Sequence, residues 1–307
     1  MSPTNLITLL GPTAVGKTQL AARLANSIGG EVISADSRQV FRGMDIGTGK
    51  DLADYIVDGK MVPSYLIDVE DAGKEYSVHS FMRDFEDAYK KIRLIGRIPV
   101  LCGGTGLYLE AVLKGYQLVN VPVNAEFRNE MEKFQDAELL AMLSIKKPLH
   151  NTTDSLDRQR MIRALEIETY RELTPSKKNP DFSQTLVFGL RFERAIIRKR
   201  ITQRLRARLE NGMIEEVEGL IARGVSHSML KYYGLEYKYI SMYLAGELSY
   251  SDMFELLNTA IHQFAKRQMT WFRRMEKHGI NIHWLEGEDG PENNLIEMLS
   301  SISKVNS

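Results

Sequence analysis

Cysteine is nearly absent: Cys102 stands alone among 307 residues, so the chain can form no internal disulfide and no cysteine-rich zinc site. That fits a reducing compartment. Net charge is absent too, because 40 basic residues balance 40 acidic ones, and a nucleic-acid partner would have to be met by local clusters. No apolar run approaches the roughly 18 residues of a membrane helix. The start, MSPTNLITLL, lacks the basic residues of a signal peptide and the arginines of a transit peptide. A cytoplasmic protein with no membrane partner is expected. The six histidines (79, 150, 227, 262, 278 and 283) never pair at i, i+4, which argues against a histidine metal site. Internal repeats and low-complexity tracts are also missing.

What is present is ordinary globular material, 43% hydrophobic and 26% charged, enough for one α/β domain and a smaller one. Short apolar strands (LITLL, EVISA, SYLIDV, IPVLC) alternate with helical patterns up to about residue 115, which predicts a parallel sheet covered by helices. Between about 120 and 180 the texture turns to polar helices broken by Pro122, Pro148, Pro175 and Pro180, as in an inserted helical subdomain. A strand TLVFGL, a basic helical stretch over 191–211, a long helix over 252–278 and a last strand INIHWL follow; the segment from Gly287 carries no assignable pattern. The expected division is a core over 1–118, a helical insertion over 119–183, a core continuation over 184–290 and a tail over 291–307.

The strongest local signal is Gly11-Pro12-Thr13-Ala14-Val15-Gly16-Lys17-Thr18, between an apolar strand and a helix. Glycines let the backbone N–H groups turn inward, the helix N-terminus adds positive potential, Lys17 can reach terminal phosphates and the Thr18 hydroxyl can ligate Mg²⁺. A phosphate-binding loop is expected, without saying whose phosphate. Asp36 directly follows the strand EVISA, where ligands of open parallel sheets sit, so it can accept a proton or hold a metal through water; capping a turn is the plainer alternative. A second glycine-rich turn, Gly103-Gly104-Thr105-Gly106, lies at another strand end, and its spacing is not that of a dinucleotide motif. Cys102 beside it reads as a small buried residue rather than a nucleophile. Basic residues cluster in RFERAIIRKRITQRLRAR (191–208), eight against one glutamate, and in KRQMTWFRRMEK (266–277), five against one with Trp271 and Phe272 interleaved. Both suit phosphate-rich ligands, with a solvated helix face as the plain alternative.

Taken together, GPTAVGKT, SADSRQVFRGMDIGTGK, GRIPVLCGGTGLYLEA, DRQRMIRALEI, RITQRLRARLENGMIEEV and AKRQMTWFRR resemble the tRNA dimethylallyltransferase family, the P-loop isopentenyltransferases that prenylate adenosine beside the anticodon. The resemblance runs from about residue 6 to 285. It implies a P-loop kinase-like sheet with an inserted helical tRNA-binding domain, and dimethylallyl diphosphate as donor, held by Gly11–Thr18 with Mg²⁺ on Thr18. Arg204 matches the family's diphosphate-binding arginine, and Asp36 the carboxylate that takes a proton from the exocyclic amine; with Lys17 these are the implied catalytic residues. Asp36, Ser37, Arg38, Gln39, Thr105, Arg128, Gln159, Arg160, Arg163, Lys266, Arg267, Gln268 and Arg273 are carried over as tRNA contacts. A monomer is expected.

Three places depart from the common pattern. Gly47-Thr-Gly49-Lys50-Asp51 replaces G-T-A-K-P, Tyr65 replaces a histidine, and YYGLEYKYI, including Gly234–Lys238, replaces I-G-Y-K-E. All are expected on the tRNA-facing side, with the diphosphate side intact. Alternatives at this point are an adenylate isopentenyltransferase acting on a free nucleotide, a P-loop metabolite kinase, and a tRNA-binding protein without catalysis.

Overall fold

Strand Leu6–Leu10 (β1) is buried at every residue, as a strand covered on both faces must be. A computed structural model describes residues 4–116, 118, 121–146, 157–172, 182 and 185–306. Around β1 lie Glu31–Ala35 (β2), Ser64–Tyr65 (β3), Pro99–Gly103 (β4), Thr185–Arg191 (β5) and His283–Glu286 (β6), in the order β6-β5-β1-β4-β2-β3. All neighbouring pairs are parallel. The strand period of two sends Ile7, Leu9, Val32, Val100 and Phe188 to one face. There they join Leu20 and Leu24 of Lys17–Ile28 (α1) in a single buried cluster. Val78–Leu94 (α2) packs on β2 and β4, and its Phe81 stacks on Tyr108 of Gly106–Leu113 (α3) with ring centroids 4.1 Å apart.

Contacts divide the chain into two units, Met1–Gly115 with Asp181–Ser307, and Tyr116–Pro180. The second contains Ala125–Met131 (α4), Asp136–Lys146 (α5) and Arg158–Glu172 (α6), whose Met131, Leu139, Leu143, Met161, Ile162 and Leu165 form a separate small core. The expected boundaries near 119 and 183, with Pro148, Pro175, Pro180 and His150, lie outside the described residues. After β5 the first unit continues through Arg194–Glu210 (α7), Met213–Ala222 (α8), His227–Tyr233 (α9), Leu235–Leu244 (α10), Tyr250–Lys277 (α11) and Gly290–Asn306 (α12).

Two expectations are corrected. The strand SYLIDV is only two residues long in the sheet, because Leu66 and Asp68 take left-handed φ values of 63° and 54°, turning the chain so that Asp68 meets the buried Lys50 ammonium. The segment beyond Gly287 is a helix: Leu295, Met298, Leu299 and Ile302 recur at helical spacing and complete the cluster against α1.

Candidate active site

The loop between β1 and α1 turns tightly, with Ala14 (φ 65°) and Gly16 (φ 84°) both left-handed. Gly11 has no alternative, since a Cβ there would lie 2.5 Å from the Leu190 carbonyl oxygen. Lys17 folds its ammonium back to donate to the Pro12 carbonyl at 2.6 Å. Burial lowers its pKa to about 8, with Cys102 and Asp36 offsetting part of the effect. Burial likewise pushes the Cys102 thiol up to about 12, so this cysteine is a packed side chain and no nucleophile.

Asp36 leaves the carboxyl end of β2 as the start of an Asx turn: its Oδ1 accepts the Arg38 N–H at 2.9 Å and the Gln39 N–H at 3.4 Å. The plainer reading of this residue therefore holds, since it orders a turn, and it also lines the pocket. Thr105 Oγ1 accepts the Ser37 N–H at 3.0 Å, which ties the glycine-rich turn after β4 to the same loop. The close approach of the strands explains Gly103, where a Cβ would sit 2.2 Å from the Ala35 carbonyl oxygen.

These elements enclose a pocket of about 470 Å³. It gathers Thr13, Ala14, Gly16, Lys17 and Thr18 from the loop, Asp36, Ser37, Arg38 and Gln39, Thr105, Arg204, Arg267 and Gln268. Gly11, Pro12 and Val15 shape the loop without lining the pocket. Among the described residues no cluster of three histidine, cysteine or acidic side chains is poised for a metal. A magnesium ion needs none, because it retains waters and takes one or two protein oxygens plus substrate phosphates, which the Thr18 hydroxyl fits.

Several side chains expected at tRNA also make contacts within the protein. Gln268 is turned into the protein, where its Oε1 accepts the Thr13 N–H at 2.9 Å and its Nε2 donates to the Gly104 carbonyl at 2.8 Å. It thus braces the phosphate loop against the glycine turn. Lys266, Arg267 and Arg273 are exposed on α11, whereas Arg274 and Trp271 both donate to the buried Glu110 at 2.7 and 2.9 Å. In the insertion, Arg128 and Arg163 converge on Glu166, with Arg128 Nη2 at 2.8 Å and Arg163 Nη1 at 2.5 Å from its Oε2. Burial would raise the Glu166 carboxyl, but hydrogen bonds from Arg128, the Asn124 N–H and Arg163 hold it at about 2. Gln159 donates to Glu132 at 2.9 Å, and Arg160 pairs with Asp157 at 3.5 Å.

Of the departures from the family pattern, Gly49, Asp51, Gly234, Leu235 and Glu236 line the same pocket as Arg204 and Asp36. The Tyr65 hydroxyl donates to Glu31 at 2.7 Å, at the amino end of β2 and so at the opposite end of the strand from Asp36. Side-chain contacts hold the Gly47–Asp51 segment. Lys50 is consumed by Asp45, Asp68 and the Phe41 carbonyl, and Glu216 of α8 accepts the N–H groups of Asp45, Ile46 and Gly47. Glu216, Glu110, Glu166 and Arg208 were not singled out from the sequence. Gln268 could have been placed inward, since it shares the helical phase of Leu257, Ile261, Ala265, Phe272 and Met275, all buried.

A parallel sheet with a phosphate-binding loop at the end of an inner strand, faced by a carboxylate and arginines, defines a P-loop α/β protein built for a phosphorylated substrate. Residues 39–275 match the IPP transferase family and residues 4–68 the isopentenyl transferase family. The tRNA dimethylallyltransferase 1 of Geotalea uraniireducens is 53% identical over 96% of this chain and 97% of its own. That of Porphyromonas gingivalis is 53% identical over 92% and 93%. Among solved structures, the full-length tRNA isopentenylpyrophosphate transferase from Bacillus halodurans superposes with a TM-score of 0.71 at 33% identity, covering 98% of this chain and 96% of that one. A eukaryotic dimethylallyltransferase acting on tRNA shares the fold, with a TM-score of 0.79 at 23% identity over 97% and 78% of the two chains. This chain belongs to the IPP transferase family, and it is a prenyltransferase.

Proposed function

We propose that this chain transfers a dimethylallyl group from dimethylallyl diphosphate to the exocyclic amine of the adenosine 3′ of the anticodon in tRNA, releasing diphosphate. The observation that carries this reading is the pocket that holds Lys17, Thr18 and Arg204 together with Asp36. The allylic C–O bond breaks, its electrons leave with the diphosphate, and the amine nitrogen forms the new bond to the prenyl carbon. Lys17, Arg204 and the N–H groups of the loop take up the charge of the leaving group, in a site where fixed dipoles act strongly. Magnesium held by Thr18 would add positive charge to the same phosphates. Asp36 orients the amine and accepts its proton; an amine conjugated with the ring is a weak nucleophile, so orientation matters as much as basicity. With Oδ1 fixed by the Asx turn, the other carboxylate oxygen is the acceptor.

The insertion, the exposed basic face of α11, and Arg38 and Thr105 at the pocket are the elements we assign to tRNA. The relatives described above are named for tRNA, which favours it over a free adenine nucleotide. We place the enzyme in the cytoplasm as a monomer, and no helix among the described residues is long and apolar enough to cross a membrane. Asp36→Asn tests the chemistry: turnover should fall about a hundredfold or more with tRNA affinity unchanged. Equal losses in binding and turnover would refute the base role.

A further inference from the structure

Arg204 and Arg208 lie one turn apart on α7, so their side chains emerge on the same face. Both line the main pocket, and both border a side cavity of about 20 Å³ shared with Thr13, Ala14 and Glu236. The Nη2 atom of Arg208 is buried and has no hydrogen-bond partner among the described residues. Gly49 explains how two guanidinium groups fit there: a Cβ on it would lie 1.6 Å from Arg208 Nη2 and 2.0 Å from Arg204 Nη2. Burial lowers the Arg208 guanidinium to about 10, and the adjacent Arg204 adds to the effect while Glu236 and Asp51 oppose it. Desolvation raises the Glu236 carboxyl, and neither arginine has a carboxylate within ion-pairing distance among the described residues. Two like charges in one pocket, one of them with an unsatisfied buried N–H, make an anion site.

We propose that Arg208 binds the donor's diphosphate alongside Arg204, as a second guanidinium facing the phosphate loop, and that Gly49 is the residue whose missing Cβ makes the pair possible. This rests on the reading that the pocket takes a diphosphate donor. The loop and Lys17 hold the diphosphate from one side, and the two planar forks hold it from the other, each able to bind phosphate oxygens in pairs. The cradle is tighter than one arginine would make it. It orders the leaving group before the allylic bond breaks.

The test titrates inorganic diphosphate, then dimethylallyl diphosphate, into wild type, Arg208→Leu, Arg208→Lys and Lys17→Ala by calorimetry, with tRNA affinity measured separately by filter binding. Arg208→Leu should weaken diphosphate binding about tenfold or more, the range for a hydrogen bond to a charged group, and leave tRNA binding within twofold. Arg208→Lys should fall between, because it keeps the charge and loses the fork. Gly49→Ala should cost diphosphate affinity, because its methyl meets both guanidinium groups and the residue holds a left-handed φ of 68°. If Arg208→Leu does not fold, Arg208→Lys and Gly49→Ala decide the matter. A lowered melting temperature with unchanged diphosphate affinity would make Arg208 structural and overturn the proposal. Were Lys17→Ala to weaken binding while the Arg208 and Gly49 variants did not, the cradle would fail and the donor reading would stand. Unchanged binding in all the variants would sink the donor reading itself.

Discussion

Gln268→Leu removes a side chain that joins two phosphate-facing loops. Its amide accepts from Thr13 at 2.9 Å and donates to Gly104 at 2.8 Å, and the residue is 7% exposed. Leucine fills the space but satisfies neither group, so one backbone N–H and one C=O are left bare at about 1–3 kcal/mol each. Water from the adjoining pocket relieves part of this, leaving a loss of roughly 2–4 kcal/mol. For a unit of this size 1 kcal/mol moves the melting temperature by about 2–4 °C, so a drop of roughly 4–16 °C is expected by scanning calorimetry. The same variant frees Thr13, so the KM for the allylic diphosphate should rise while tRNA affinity holds. Gln268→Glu should share the donor defect, because a carboxylate can accept from Thr13 but faces the Gly104 carbonyl with a second acceptor. A shift under about 2 °C with unchanged donor KM would refute the bracing role. Loss of tRNA affinity alone would return Gln268 to the tRNA surface.

Lys17, held at about 8 by burial, should make donor affinity constant below about pH 8 and falling above it, since only the ammonium attracts the diphosphate. The sign for folding is opposite: the ligand-free fold gains from this residue as pH rises from about 8 to the ordinary 10.5, so calorimetric affinity and melting temperature should diverge over that range. Glu166, held at about 2 against an ordinary 4.5, contributes stability above pH 4.5 that is lost as pH falls toward 2, on the order of 3 kcal/mol. Glu166→Gln should flatten that acid limb for the insertion, followed by circular dichroism, and an unchanged limb would show that the arginines do not depend on it. Neutralising Lys266, Arg267 and Arg273 together should weaken tRNA binding and reduce its log–log salt slope by about 0.7–0.9 for each phosphate that no longer meets a cation. Parallel salt series of equal intercept would leave the cluster as a solvated face.

The phosphate loop was legible because its eight residues are contiguous and its chemistry is backbone chemistry, and the sheet because its strands are short apolar runs. Asp36 was legible from its place at a strand end, but Arg204 only through the resemblance, since nothing local distinguishes it from the other basic residues of α7. Partners remote in the chain were not legible. Gln268 meets Thr13 across 255 residues, and Glu216 meets the Asp45–Gly47 turn across about 170. No periodicity in one sequence pairs such positions. For the same reason neither the neighbourhood of Gly49 and Glu236 with Arg204 and Arg208 nor that of Glu166 with Arg128 and Arg163 was legible. SYLIDV ends as a strand at Tyr65, where left-handed Leu66 and Asp68 turn the chain toward Lys50.

The most direct measurement offers labelled dimethylallyl diphosphate and purified protein to unmodified tRNA, AMP and ATP in parallel. Label should enter tRNA alone, at the adenosine 3′ of the anticodon, with one diphosphate released per prenyl group transferred. Label entering AMP or ATP and not tRNA, or diphosphate released with no transfer, would contradict the account.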